Sequence, residues 1–173
     1  MSEATPLDRR GPASAPADQA AAATVRQATP GDAPGIAAAV RELLFELGGK
    51  PASAEPLRDA ARALIEDEDA GALFVAEADG KVVGFLGVSW QQAVRIPGSY
   101  GLIQELWVHP RWRSQAIGAD LLDALNALAR KRGIGRIEVG LPGERFPSVE
   151  ATQAFYEANG FQPVGLRMRL LVE

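Results

Sequence analysis

Arg111 and Arg113 stand immediately before the run Ser114-Gln115-Ala116-Ile117-Gly118, and the chain concentrates its chemistry here. The run opens a predicted helix. A helix start presents backbone N–H groups with no intrahelical acceptor, together with the positive end of the macrodipole. Two guanidinium charges add to that field, and small residues let a ligand reach the backbone, so the turn is built for a phosphate-like anion, diphosphate included. The spacing is not that of the common phosphate loops. GxxxxGK[ST] is absent, and the one GxG, Gly133-Ile134-Gly135, follows a helix and has Glu138 in the third-glycine position, which excludes kinase-like and dinucleotide readings.

Other chemistries are excluded by composition. The chain has no cysteine and one histidine, His109, which removes disulfides, thiolate nucleophiles and most zinc-site patterns; no metal is expected. A Ser-His-Asp hydrolase would need a GxSxG that is missing, and His109 beside Pro110 reads as a solvated loop residue. A formal net charge of -4 argues against a nucleic-acid partner. No apolar run reaches membrane-spanning length and Met1 to Ala23 has no signal-type core, so the expectation is a soluble, cytoplasmic protein without a membrane partner.

The turn must be held by a strand and a helix. Ile103, Leu106, Trp107 and Val108 favour a strand ending at Pro110, while Ile117, Leu121, Leu122, Leu125, Leu128 and Ala129 recur at helical spacing until Gly133. A strand over Arg136 to Leu141 then completes a βαβ unit with the anion turn at the carboxyl end of its first strand. Upstream, Thr24 to Ala28 is a strand, Asp32 caps a helix striped by Ile36, Val40, Leu43, Leu44 and Leu47, and a second helix carries Leu57, Ala61, Leu64 and Ile65. Ala72 to Ala76 and Val82 to Trp90 pair through an Asp79-Gly80 hairpin turn. Gln91 to Ser99 is expected as a polar loop, Tyr100 to Val108 as the next strand, Ser148 as cap of a short helix with Phe155 and Tyr156, and Phe161 to Val172 as closing strand.

With 173 residues and 47% apolar composition the chain supports one full-sized domain. Residues 1–23, rich in Ala, Pro and Asp, read as a disordered tail, and residues 24–173 as the domain. The fold class is α+β, a mixed, mostly antiparallel twisted sheet with helices on both faces and a central βαβ unit.

The strings VHPRWRSQAIGADLL (Val108 to Leu122) and FYEANGF (Phe155 to Phe161) resemble the GNAT superfamily of acetyl-coenzyme A dependent N-acetyltransferases, and the element order matches from Thr24 to Glu173. That family's motif is Arg or Gln, two residues, Gly, one residue, then Gly or Ala. Here Arg113, Ala116 and Gly118 hold the three positions. Ala116 replaces the first glycine, and its methyl fits there if φ is negative. The resemblance implies that Arg113, Ser114 and the backbone of Gln115, Ala116, Ile117, Gly118 and Ala119 hold the coenzyme pyrophosphate. Leu106, Trp107 and Val108 would pair with the pantetheine arm. It further implies Tyr156 as the acid that protonates the departing thiolate and Glu105 as candidate base for the amine; the alternative for Glu105 is an ion pair with Arg95 or Arg136. Val149 and Thr152 stand where the family often has asparagine and alanine.

The expected activity is direct acetyl transfer from acetyl-CoA to a primary amine of a small molecule or peptide, with a homodimer as the possible assembly. Two rivals stand beside it: an acyl-coenzyme A sensor without turnover, and a protein binding another nucleotide diphosphate at the same helix start.

Overall fold

The computed structural model describes residues 22–50, 52–143, 146–165 and 170. The expected tail therefore lies outside the described residues, apart from Ala22 and Ala23. Five strands, β1 (Thr24–Gln27), β2 (Gly71–Ala78), β3 (Lys81–Ala93), β4 (Ile96–Val108) and β5 (Ile137–Val139), form one sheet in sequential order. Every pairing is antiparallel except β4 with β5, which is parallel. The helices are α1 (Ala33–Glu46), α2 (Ala54–Glu66), α3 (Ile117–Lys131) and α4 (Val149–Ala158). The α+β class and the β4-α3-β5 crossover agree with the sequence.

Strand alternation divides the core in two. Phe74, Ala76, Leu86, Val88, Ile103 and Val108 point to one face and pack on Ile117, Leu121, Leu122 and Leu125 of α3 and on Tyr156 of α4. Leu73, Val75, Phe85 and Trp107 point to the other and pack on Ile36 and Ala39 of α1 and Ala61 of α2. Each buried Leu or Ile contributes roughly 2 kcal/mol of apolar burial, so both faces hold their helices. No described helix is long and apolar enough to cross a membrane.

The Asp79-Gly80 turn has both central residues at positive φ (49° and 70°), as a type I′ hairpin turn requires. Four local expectations are corrected. Asp32 does not cap α1 with its side chain; it ends a 3-10 turn (Pro30–Asp32), where its carboxylate accepts from the Thr29 N–H at 2.7 Å and from Arg26 at 2.7 and 2.8 Å. Gln91 to Ser99 is not a loop: β3 and β4 continue as a paired hairpin, with Ile96 buried opposite Ala93. Pro97 is tolerated there because β5 reaches only Gly101 to Ile103, leaving the outer edge of β4 at Pro97 without a ladder among the described residues. Ser148 precedes α4 without making a side-chain cap bond. Of the expected closing strand, Phe161 to Gly165 are not strand, and most of the remainder lies outside the described residues.

Candidate active site

β4 carries an irregularity at the position that matters most. Gly87 pairs with Glu105 but Val88 pairs with Ile103, so Gln104 is an extra residue on β4. In unbroken register Glu105 would face Leu86 and point into the α3 core. The bulge moves it opposite Gly87, onto the face shared with Trp107. Gln104 itself donates to the Ser89 hydroxyl at 2.8 Å, and Gln91 donates to the same oxygen at 2.9 Å.

Beyond the bulge the sheet opens. β5 pairs with β4 only as far as Ile103 with Val139, and Gln104 to Val108 have no strand neighbour on that side among the described residues. An extended ligand can hydrogen-bond to such an edge as a further strand would.

The turn that follows runs from His109 through a 3-10 turn (Pro110–Trp112) to α3. The His109 Nδ1 accepts from the Arg111 N–H at 3.2 Å, which matches a solvated loop role. The N–H groups from Ser114 to Ala119 have no acceptor among the described residues, and the first bond of the helical series is Asp120 N–H to the Ala116 carbonyl at 3.0 Å. This row of donors at a helix N-terminus suits a diphosphate. It is reached through strained backbone. Ser114 and Ala116 both have φ of 62°, so the condition under which the Ala116 methyl fits, a negative φ, is not met, and an L-residue holds a left-handed position that suits glycine.

Arg113 is not aimed into this row. Its Nε donates to the Val108 carbonyl at 2.9 Å, and its guanidinium donates to both carboxylate oxygens of Glu46 at 2.7 Å. Trp107 Nε1 donates to the same Glu46 at 3.1 Å, so one carboxylate at the end of α1 braces the end of β4 and the turn. Trp107, expected among the coenzyme residues on β4, is buried, with its ring in the α1/α2 core.

α4 meets this turn through Phe155. A Cβ on Gly118 would stand 3.0 Å from the Phe155 ring, so glycine is needed for helix packing as well as for ligand approach. Phe155 and Phe161 bracket Tyr156 edge-on, each with ring centroids 5.2 Å away. Tyr156 is 7% exposed and its hydroxyl has no hydrogen-bond partner among the described residues; burial pushes the phenol up to about 12. Glu105 likewise has no hydrogen bond or ion pair among the described residues, and burial raises its carboxyl above the usual value. The ion pair considered for it is not formed with Arg136, which pairs with Glu138 at 3.6 Å.

The model of the acetyltransferase (GNAT) family matches residues 37–161. The chain belongs to the GNAT family. A curated relative, the aminoglycoside N(6')-acetyltransferase type 1 of Stenotrophomonas maltophilia, is 34% identical over 148 residues, covering 83% of this chain and 88% of its own length. Two solved structures share the GNAT fold. A possible acetyltransferase from Clostridium difficile 630 has a TM-score of 0.73 at 22% identity, over 88% of this chain and 98% of its own. A predicted acetyltransferase with acetyl-CoA from Clostridium acetobutylicum has a TM-score of 0.69 at 18% identity, over 86% and 96%. The GNAT chain described here is thus an acyltransferase.

The sequence draws attention to the turn, Glu105 and Tyr156, and not to Glu46, Gly87, Ser89, Gln91 and Gln104, which the structure places around them. A bulge leaves no mark in composition, and Glu46 lies 67 positions from Arg113. Gly87, one of two glycines in the Val82 to Trp90 strand, is the available signal.

Proposed function

We propose that this GNAT protein is an acetyl-coenzyme A dependent N-acetyltransferase that moves the acetyl group directly from the thioester to a primary amine of a small molecule or peptide. The observation that carries the reading is the open edge of β4. It runs from the bulge to the N–H row of α3, and among the described residues that row has no acceptor, while a carboxylate without a partner lies on one face of the sheet and a buried phenol on the other. The backbone of Leu106 to Val108 would hold the pantetheine arm, and the N–H groups from Ser114 to Ala119 the pyrophosphate. Arg113 would act by fixing the turn through Val108 and Glu46.

Acetyl-coenzyme A supplies an activated acyl carbon and a thiolate leaving group. The incoming amine must be neutral to attack; Glu105 takes its proton, and the raised carboxyl pKa makes it a better base at neutral pH. Tyr156 stays protonated at that pH and offers its O–H to the sulfur as the C–S bond breaks. A backbone N–H of the open edge serves the carbonyl oxygen as it gains charge. The two side chains act from opposite faces, so the amine arrives on the α1/α2 side and the thiol leaves on the α3/α4 side. Ser89, Gln91 and Gln104 form a neutral polar row on the amine side.

The S. maltophilia relative puts aminoglycosides first among the acceptors to try, ahead of polyamines, amino acids and peptides. Thiol release from acetyl-CoA should rise above the hydrolysis background with at least one of these amines, together with a mass gain of one acetyl group on that amine. Calorimetric binding of acetyl-CoA with no release across the panel would replace the enzyme by a sensor. Thermal stabilisation by nucleotides but not by coenzyme A would replace both.

A further inference from the structure

Gly87 lies in the middle of β3, where a glycine weakens a strand and offers nothing to pack. Its φ is not in the left-handed region, so backbone conformation does not require it. Space does. A Cβ built on Gly87 would stand 2.6 Å from Oε2 of Glu105 and 3.1 Å from Cδ2 of Leu73, the first closer than real Cβ contacts come. The other close-packed glycines of the sheet make room for framework: Gly71 for the Val88 carbonyl, Gly84 for the Trp107 carbonyl and Ile117, Gly101 for the Trp90 ring. Among the described glycines, Gly87 is the one whose nearest neighbour is a carboxylate.

We propose that Gly87 is a positioning residue for this reaction: the space above its Cα seats the Glu105 carboxylate flat on the sheet, turned toward the side from which the amine arrives. The inference rests on Glu105 being the base. The bulge brings Glu105 opposite Gly87, and the missing side chain lets the carboxylate lie back over β3 beside the buried Leu73. Lying there, it is half-buried and without an ion pair among the described residues, and its proton affinity rises through that burial. The charged groups fixed to β4 on this face, Glu46 and Arg113, are paired with each other at Trp107. No described element supplies Glu105 with a cation. The seat thus sets both where the base sits and how readily it accepts a proton.

The test is Gly87→Ala in the full chain, with Glu105→Gln and the double variant beside it. The methyl should push the carboxylate off the sheet into water. In Gly87→Ala, kcat/KM should fall about 10- to 100-fold, as small displacements of a catalytic group do. The acid limb of its pH profile should move to lower pH, while KM for acetyl-CoA stays within about twofold. In the Glu105→Gln background the methyl should add no further loss. A wild-type rate and limb in Gly87→Ala, an undiminished loss in the Glu105→Gln background, or full rescue by Leu73→Val, which relieves only the apolar contact, would each overturn the proposal. If Glu105→Gln itself keeps the wild-type pH profile, the base reading fails instead. Should no acceptor be found, a carbon-13 titration of the Glu105 carboxyl decides: it should titrate higher in wild type than in Gly87→Ala, and equal values refute the seat.

Discussion

The two faces of the sheet at β4 present one titratable group each, Tyr156 buried and Glu105 half-buried, and they are built in opposite ways. On the α3/α4 face Tyr156 is wedged between two phenyl rings, Phe155 presses on Gly118, and the turn that would receive the coenzyme carries two L-residues at positive φ. On the α1/α2 face Glu105 lies over a glycine, with a leucine beside it and no partner among the described residues. One face is crowded and keeps its strain in the backbone; the other is relieved of a side chain and keeps its unfavourable energy in a desolvated carboxylate. A thiolate leaving group needs a donor held still, whereas an amine that must come and go needs a base left uncommitted. On the proposed mechanism, each face stores its instability beside the group its half of the reaction would use.

The largest expected effect breaks the crowded face. Tyr156→Phe keeps the ring packing and removes only the hydroxyl, so kcat should fall about 100-fold while KM for acetyl-CoA stays within about twofold; steady-state kinetics measure both, and an unchanged kcat removes the phenol from the mechanism. Relieving the backbone strain instead should help. Ala116→Gly places glycine where φ is 62°, and chemical denaturation should show a gain of about 1 kcal/mol with activity retained. A loss of stability would mean that the turn is not strained there. The smallest effect concerns the open face. A carboxyl whose folded pKa lies above its unfolded value binds more protons when folded, so its contribution to stability is fully present below the unfolded pKa and is lost as pH rises through the folded one. Glu105→Gln should therefore be slightly more stable than wild type at neutral pH, with the difference vanishing below the ordinary glutamate range. Melting temperatures measured across pH 4–8 test this, and a variant less stable at neutral pH would show that the carboxylate is not disfavoured.

The parts of this molecule legible in the sequence are those with a period or a local rule. The βαβ unit followed from the helical spacing of Ile117 to Ala129 and the β-favouring run before Pro110, and the hairpin from Asp79-Gly80. What stayed hidden depends on register. Whether Glu105 faces α3 or α1 turns on one extra residue, Gln104, and a shift by one exchanges the faces of a strand without altering its composition. The hairpin over Gln91 to Ser99 is hidden because its polar residues and Pro97-Gly98 mimic a loop, yet strand pairing there depends on Ile96 finding its place opposite Ala93. Arg113 was aimed at phosphate by its charge, since nothing near it in the chain announces Glu46.

That brace has a thermodynamic consequence. Trp107, Arg113 and Glu46 share a single carboxylate, and Arg113 also holds the Val108 carbonyl. The loss of Glu46 frees both of the others, so the contributions of Trp107 and Arg113 do not sum and the three form one coupled unit. The last turn of α1, the end of the open strand and the entrance to α3 therefore gain or lose order together. Glu46 is also the last residue of α1, so the connection that begins at Leu47 starts from the same anchor as the anion turn, and ordering of either is felt by the other through a single acidic side chain.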